Sequence, residues 1–330
     1  MSIVVIKPGM LSSFQDAGRH GQQPLGISVV GAMDQRAHHL ANMLVGNDAQ
    51  TASLEITLTG PTLQFQQPGC IALSGGDLSA TLNGQAVALN RPIIVHPNDT
   101  LAFGPRKHGT RCYLAVHGGF ALTPVLGSTS TYLRSHFGGW QGRALQKGDE
   151  IPFVRPLATK GLETLAMELW SIKIYLSSAI ADSSRQRIRL IKSALWNEFT
   201  PESCVALLTE PFRVSPDSER MGYRLSGTPL LMTKPRQLLS EATTFGTIQV
   251  PAGGQPIILM ADRQTTGGYP KMAYVATVDL PLLAQCAPGD ALQFEAITLE
   301  RAQELDAARE RAWHALAQTL QPIRDLLLHH

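Results

Sequence analysis

Short apolar stretches with a period of two residues recur along the chain and predict strands. Between residues 53 and 60, leucine or isoleucine occupies every second position and polar side chains lie between them, which is typical of a strand with one buried face. The Asn83-Gly84 pair separates two further short runs, and this dipeptide is the strongest local signal of a β-hairpin. Pro251–Gly254 separates another two. These patterns predict a mainly β chain.

Helical periodicity is confined to two segments. Met33–Val45 carries apolar side chains on one helical face, with Asp34 in the first turn, where the helix dipole favours an anion, and Gly46 at the end. Leu299–Leu320 is an amphipathic run of strong helix formers that we expect to end at Pro322.

The two halves of the chain resemble each other. Three short stretches of the first half recur in the same order in the second: Ile3–Lys7 with Ile188–Lys192, Gly60–Phe65 with Gly227–Met232, and Asn98–Phe103 with Gly289–Phe294. Chance similarity is the alternative, because each match is short. Two copies of one β unit, with few helices, favour barrels over a doubly wound sheet. We expect domains at 1–155 and 187–297, a boundary within 156–186, and a helix over 298–321.

Composition narrows the possible partners. The formal net charge of the 330 residues is +2 and only 16% of them are charged, so neither nucleic acid nor an anionic membrane is an expected partner. The chain opens on a strand-like run and contains no apolar segment of spanning length, which favours a cytoplasmic protein. No Walker loop and no Met-Lys-Met biotinylation motif is present. We therefore do not expect this chain to carry biotin.

The densest set of polar groups follows an apolar run near residue 260. Ile257–Met260 is predicted to be a buried strand, and a polar segment and a glycine pair follow it: Asp262, Arg263, Gln264, Thr265, Thr266, Gly267, Gly268 and Tyr269. The first five of these residues supply one carboxylate, one planar cation, one amide and two hydroxyls, which can hold a small polar molecule at both ends. The glycines allow close backbone approach or positive φ. A polar turn with a structural Asp-Arg pair is the alternative.

Two loops of the first half also carry candidate groups. Gln15, Asp16 and Arg19 lie close together in a glycine-punctuated loop, which is either a binding loop or a turn with an internal salt bridge. Leu126–Arg143 is rich in Gly, Ser and Thr and contains two arginines, so it could cradle an anion. An ordered surface loop is the alternative.

Several of these stretches together resemble one family, the 5-oxoprolinase C-subunit family. The same family is also labelled Kip-antagonist-like, allophanate hydrolase subunit 2 and biotin-dependent carboxyltransferase. The resemblance covers about residues 1–300, with Phe14 as a departure where the family has a smaller β-branched residue. It is carried by Lys7–Arg19, Gly31–Asp34, Leu54–Pro61, Tyr113–Gly119, Gly127–Tyr132, Arg220–Leu225 and Ala261–Pro270.

The resemblance implies a fold, a reaction and partners. It implies two tandem cyclophilin-like β-barrel domains, a direct complex with the 5-oxoprolinase B subunit, and joint action with the A subunit to open 5-oxo-L-proline to L-glutamate. ATP, together with Mg²⁺, is the implied co-substrate. A carboxyltransferase component acting on a urea-like amide, or a non-enzymatic regulatory partner of a Kip-inhibitor-like protein, are the alternatives.

A lactam that bears a carboxylate sets the expected roles. Its carboxylate needs a cation, which Arg263 or Arg19 can supply. The expected catalytic residues are Asp262, Arg263, Gln264 and Thr266. Substrate-binding roles are expected for Gln15, Asp16, Arg19, Asp34, Thr265, Gly267, Gly268 and Tyr269. No motif locates a metal, and the candidate carboxylates Asp16, Asp34 and Glu55 are at least as easily structural.

Overall fold

A computed structural model describes residues 2–181, 185–234 and 238–329, and the prediction of a mainly β chain is confirmed. The described residues divide into two compact units. The first contains residues up to 19, residues 30–176 and residues from 313 onwards. The second contains residues 20–29 and 177–312.

The strands of the first unit form two antiparallel sheets. The strands are β1 (Ser2–Lys7), β2 (Leu11–Gln15), β3 (Ser53–Thr57), β4 (Thr62–Phe65), β5 (Gly69–Asp77), β6 (Thr81–Leu82), β7 (Gln85–Ala86), β8 (Pro92–Val95), β9 (Thr100–Ala102), β10 (His108–Val116) and β11 (Glu150–Pro152). One sheet has the order β11-β1-β4-β9-β6-β7 and the other has the order β2-β3-β10-β5-β8. A single apolar core contains side chains from both sheets, such as Ile3, Leu54 and Leu114. The predicted hairpin joins β6 to β7, with positive φ at Asn83 and Gly84.

Strand β3 differs from its prediction, because all five of its residues are buried. Leu54 belongs to the apolar core, as expected. On the polar face, the Glu55 carboxylate accepts hydrogen bonds from the Tyr113 hydroxyl at 2.7 Å and the Met33 backbone N–H at 2.9 Å. The alternation of apolar and polar residues correctly predicts the strand, but it does not show that the Glu55 carboxylate is hydrogen-bonded within the protein instead of to water.

The strands of the second unit form a closed barrel and a separate ribbon. They are β12 (Arg187–Lys192), β13 (Phe212–Val214), β14 (Gly222–Ser226), β15 (Glu241–Ala242), β16 (Thr247–Gln249), β17 (Ile257–Leu259), β18 (Thr266–Gly267), β19 (Lys271–Val275) and β20 (Ala291–Ala296). Seven strands close the barrel in the order β12-β19-β16-β17-β14-β13-β20. The other two, β15 and β18, pair with each other and are called the ribbon below. The predicted hairpin around Pro251–Gly254 joins β16 to β17.

The helices include the two that the sequence predicts. They are α1 (Gln35–Leu44), α2 (Leu162–Ser171), α3 (Ser178–Ala181), α4 (Pro201–Thr209), α5 (Leu280–Ala284), α6 (Leu299–Thr319) and α7 (Gln321–Leu328). Helix α1 is the predicted helix, with Asp34 as its N-cap. Helix α6 confirms the predicted amphipathic helix and ends at Thr319. The sequence does not predict a further helix, α7, and Pro322 lies in its first turn, where the N–H that proline lacks would have no partner within the helix. No helix in the described residues is long and apolar enough to cross a membrane.

Candidate functional site

The strongest candidate segment begins where β17 leaves the barrel of the second unit. The predicted strand is confirmed at Ile257–Leu259, and the polar residues follow directly. The Asp262 carboxylate forms a two-point contact with the Arg220 guanidinium, at 2.8 and 3.0 Å. Both residues are only 5% exposed. The structural Asp-Arg pair that the sequence leaves open therefore exists, but its arginine comes from 42 positions earlier and is not the neighbouring Arg263.

Arg263 has a different environment. Its guanidinium lies 5.9 Å from the centre of the Phe245 ring, and its nearest hydrogen-bond acceptor is the Met260 carbonyl at 3.5 Å. Among the residues that the structure describes, no carboxylate forms an ion pair with it. Burial lowers the pKa of Arg263 to about 10, and the charge of Asp262 offsets only part of this effect. Arg263 is thus a largely desolvated cation that can still accept an anionic partner.

The remainder of the segment is held by the ribbon. Glu241 pairs with Gly267 and Ala242 with Thr266. The Thr243 N–H also donates to the Thr265 carbonyl at 3.0 Å. The sequence does not predict strand β18 at Thr266–Gly267, because two residues are too few to show the periodicity of a strand. These contacts fix the backbone next to Arg263.

The two glycines permit close packing within the chain. Neither has positive φ, so the alternative of a left-handed turn is wrong. A Cβ atom at Gly267 would lie 2.7 Å from Nε2 of Gln249, and one at Gly268 would lie 3.1 Å from the Leu238 carbonyl oxygen. Tyr269, which follows them, is half exposed. A ligand role for these three residues stays a prediction.

In the first unit, the two loops expected to carry candidate groups meet around Asp16. One oxygen of the Asp16 carboxylate accepts from the Gly18 N–H at 2.8 Å and the Ser128 hydroxyl at 2.8 Å, and the other accepts from the Thr129 N–H at 2.6 Å. The Ser130 hydroxyl donates to the same carboxylate. The anion that the Gly/Ser/Thr-rich loop cradles is therefore a side chain of this chain.

Asp16 remains ionised despite its burial. Burial alone would raise the pKa of its carboxyl, but the hydrogen bonds from Ser130, Gly18, Ser128 and Thr129 outweigh that effect and hold the pKa below its ordinary value. Hydrogen bonds to the charged form are the cause of such a shift. The geometry is that of a structural anchor for the loop.

Arg19 and Gln15 bind the same loop through its carbonyls. Arg19 is 1% exposed and donates to the Val125 carbonyl at 2.9 Å and the Ser130 carbonyl at 3.0 Å. It forms no ion pair with Asp16 within the described residues, so the expected alternative of an internal salt bridge is wrong. Gln15, with no exposed surface, donates to the Thr131 carbonyl at 3.2 Å.

The remaining candidates have structural partners. Asp34 is fully buried and accepts from the Ala37 N–H at 2.9 Å as the N-cap of α1. Arg143, one of the two arginines of the Gly/Ser/Thr-rich loop, pairs with Asp149 at 2.7 Å. Within residues 2–181, 185–234 and 238–329, no three His, Cys, Asp or Glu side chains lie close enough to hold a metal ion. Sequence reasoning missed Arg220 and Lys271, although both lie in or beside stretches that carry the family resemblance.

Replacing Asp16 with asparagine should destabilise the protein in a pH-dependent way. We expect a loss of about 1.5–3 kcal/mol at neutral pH, the usual effect of hydrogen bonds to a charged group. Because the folded-state pKa lies below the unfolded value of about 3.9, this stability is present above the unfolded pKa and is lost as pH falls through the folded pKa. Denaturant unfolding at several pH values measures it.

The Asp16→Asn difference should therefore shrink as the solution is acidified. The exposed Asp217→Asn substitution controls for the loss of one negative charge. A difference between wild type and Asp16→Asn that stays constant down to strongly acidic pH would contradict the role of the ionised carboxylate.

Comparison with known proteins defines the class of the chain. Residues 25–296 match the family described as carboxyltransferase domain, subdomain A and B, and the chain belongs to this family. It is 39% identical to the 5-oxoprolinase C subunit of Escherichia coli over 96% of this chain and 98% of that protein. It is 38% identical to the 5-oxoprolinase C subunit of Haemophilus influenzae over 91% of this chain and 92% of that protein.

Structural comparison leads to the same class. The crystal structure of the Kluyveromyces lactis urea carboxylase matches with a TM-score of 0.84 at 29% identity, over 96% of this chain and 29% of that one. The K. lactis urea amidolyase matches with a TM-score of 0.82 at 29% identity, over 96% of this chain and 20% of that one. The chain thus corresponds to one part of these longer proteins.

Proposed function

We propose that this chain is the C subunit of an ATP-dependent 5-oxoprolinase, which opens 5-oxo-L-proline to L-glutamate together with the A and B subunits. Two relatives that bear the name of the 5-oxoprolinase C subunit, matched over nearly their whole length, support the proposal. The structural observation that carries it is Arg263, a largely desolvated cation with no ion-paired carboxylate in the described part of the chain. In this proposal Arg263 binds the carboxylate of 5-oxoproline.

The other residues of the segment have roles that follow from that position. Gln264 and Thr266 carry an amide and a hydroxyl that can pair with the ring N–H and C=O groups of the lactam. Asp262 is committed to Arg220, so we assign it the task of positioning Arg263 and not that of a general base. ATP, as co-substrate with Mg²⁺, would transfer its γ-phosphoryl group to the amide oxygen of the lactam and release ADP; water would then add to the activated ring carbon, and cleavage of the ring C–N bond with loss of phosphate would give L-glutamate. Such a transfer depends on positioning and charge neutralisation.

The purified chain alone should release no glutamate from 5-oxoproline and ATP. It has no recognisable nucleotide motif, so we expect the ATP-dependent step to need the partner subunits. Glutamate release is assayed with the chain alone, with the B subunit added, and with both the A and B subunits added. Glutamate formation by the chain alone would contradict the expected need for partner subunits. Absence of glutamate when all three subunits are present would contradict the proposed function.

A second function is favoured by the structural comparison. The high TM-scores with urea carboxylase and urea amidolyase support a carboxyltransferase that accepts a urea-like amide. It would depend on a biotinylated carrier supplied by another chain. We place it second because the 31% identity to the Saccharomyces cerevisiae urea amidolyase is lower than the identity to the 5-oxoprolinase subunits.

A further inference from the structure

A cluster of hydrogen-bond donors lies in the second unit between the barrel and the ribbon. Gln249 on β16 and Lys271 on β19 are paired positions of neighbouring barrel strands. Their polar ends contact the ribbon: the Lys271 ammonium bonds Glu241 and Ala242, and the Gln249 amide lies against Gly267. None of the sequence patterns assigns a role to Gln249 or Lys271.

The Lys271 ammonium is almost buried but incompletely used. The residue is 8% exposed, and Nζ donates to a Glu241 carboxylate oxygen at 3.0 Å and to the Ala242 carbonyl at 2.8 Å. An ammonium has three N–H donors, and the contacts within the described residues use two of them, so a third can bind a ligand. The Glu241 side chain is 70% exposed. The negative charge that pairs with Lys271 therefore belongs to a side chain at the surface, whereas the Lys271 ammonium is almost buried.

The Gln249 side chain has an unused donor on the strand next to Lys271. Gln249 is 1% exposed, and its Nε2 atom has no hydrogen-bond partner in the described structure. The carbonyl end of the same side chain lies 3.5 Å from Nε2 of Gln264. A buried donor without an acceptor destabilises the folded chain. Such a group is explained when a ligand supplies the acceptor.

We propose that Lys271 and Gln249 bind the ring carbonyl oxygen of the amide substrate, which replaces the Glu241 carboxylate on the Lys271 ammonium and supplies the acceptor that Nε2 of Gln249 lacks. The proposal rests on the function proposed above and extends it. Both groups offer only donors at their unpaired ends, so they select an oxygen and not an N–H group. A cation and an N–H at that oxygen also favour the negative charge that it gains as the amide reacts.

This assignment separates two ends of the substrate. Arg263 binds the carboxylate, whereas Lys271 and Gln249 bind the carbonyl oxygen. Gln264 links the two groups, because it follows Arg263 in the chain and its Nε2 atom lies 3.5 Å from the Gln249 carbonyl oxygen. The affinity for a ligand that carries only the carboxylate should therefore depend on Arg263, and the affinity for a ligand that carries only the amide should depend on Lys271.

Two half-ligands test this dependence in the assembled complex. 2-Pyrrolidinone has the ring amide without the carboxylate, and cyclopentanecarboxylate has the carboxylate without the amide. Their dissociation constants are measured calorimetrically for wild type and for Lys271→Met and Glu241→Gln. Lys271→Met should weaken 2-pyrrolidinone about tenfold or more and leave cyclopentanecarboxylate unchanged. Glu241→Gln should strengthen 2-pyrrolidinone, because it removes the competing carboxylate.

The decisive result is that the two substitutions, at the two partners of one ion pair, change the affinity for 2-pyrrolidinone in opposite directions. A purely structural pair predicts that both substitutions weaken both ligands or neither, and that result would overturn the proposal. Absence of 2-pyrrolidinone binding to the wild-type complex would also overturn it. Glu241 is exposed, so Glu241→Gln gives a result even if Lys271→Met does not fold. Glutamate release by the wild-type complex is measured separately, so failure of the proposed function is recognised independently of these binding results.

Discussion

Arg263→Lys should lower kcat/KM for 5-oxo-L-proline about ten- to a hundredfold and leave the melting temperature nearly unchanged. Lysine keeps the positive charge but loses the planar pair of donors that binds a carboxylate at two points. One charge-assisted hydrogen bond corresponds to about 1.5–3 kcal/mol. The fold should tolerate the change because, among the residues that the structure describes, the Arg263 side chain makes a long contact with the Met260 carbonyl and a cation–π contact with Phe245.

The matched control for this substitution is Arg213→Lys. Arg213 is an exposed arginine of the same unit whose Nη1 donates to the Gly289 carbonyl at 3.2 Å, and the control should leave both activity and melting temperature unchanged. An unchanged kcat/KM for Arg263→Lys at saturating partner subunits would remove Arg263 from the site. A lowered melting temperature with normal activity would mean that Arg263 is structural.

Asp262→Asn should have the largest effect on stability, a loss of about 3–5 kcal/mol in the free energy of unfolding. The substitution removes the negative charge from a pair in which both residues are 5% exposed. The Arg220 guanidinium then stays buried opposite a neutral amide, and removing one charge of a buried pair is what makes the loss large. Chemical denaturation of the single chain gives this free energy without any assumption about activity.

An exposed ion pair of equal length provides the comparison. Arg301 and Glu304 lie 2.8 Å apart on helix α6, as do Arg220 and Asp262 in the barrel unit, but their side chains are 59% and 64% exposed. Glu304→Gln should change stability by less than about 1 kcal/mol. Equal losses for Asp262→Asn and Glu304→Gln would show that burial of the Asp262 pair does not determine its strength.

Elements with a local signal could be predicted from the sequence. The strand at Ile257–Leu259, the helix that follows Asp34 and the turn at Asn83-Gly84 each depend on residues that are neighbours in the chain. Periodicity, capping and turn chemistry act over a few residues, so they can be read directly.

Partners that are distant in sequence could not be predicted. Asp16 is held by hydroxyls 112 and 114 positions away. The sequence offers the neighbouring arginine as the partner of Asp262, whereas the structure pairs Asp262 with Arg220. The alternation puts Glu55 on a polar face, but the fold buries it against Tyr113. In each case the polar residue type indicates that a partner is needed, and only the tertiary arrangement determines which one.

The most direct test of the account is a comparison of two reactions catalysed by the same assembled complex. One reaction contains 5-oxo-L-proline and ATP, and the other contains urea, bicarbonate, ATP, a biotinylated carrier protein and a biotin carboxylase that carboxylates the carrier. We expect glutamate in the first, in amounts that depend on the presence of this chain, and no carboxylated urea in the second. Carboxylation of urea without glutamate formation in the first reaction would contradict the proposed function and favour the carboxyltransferase.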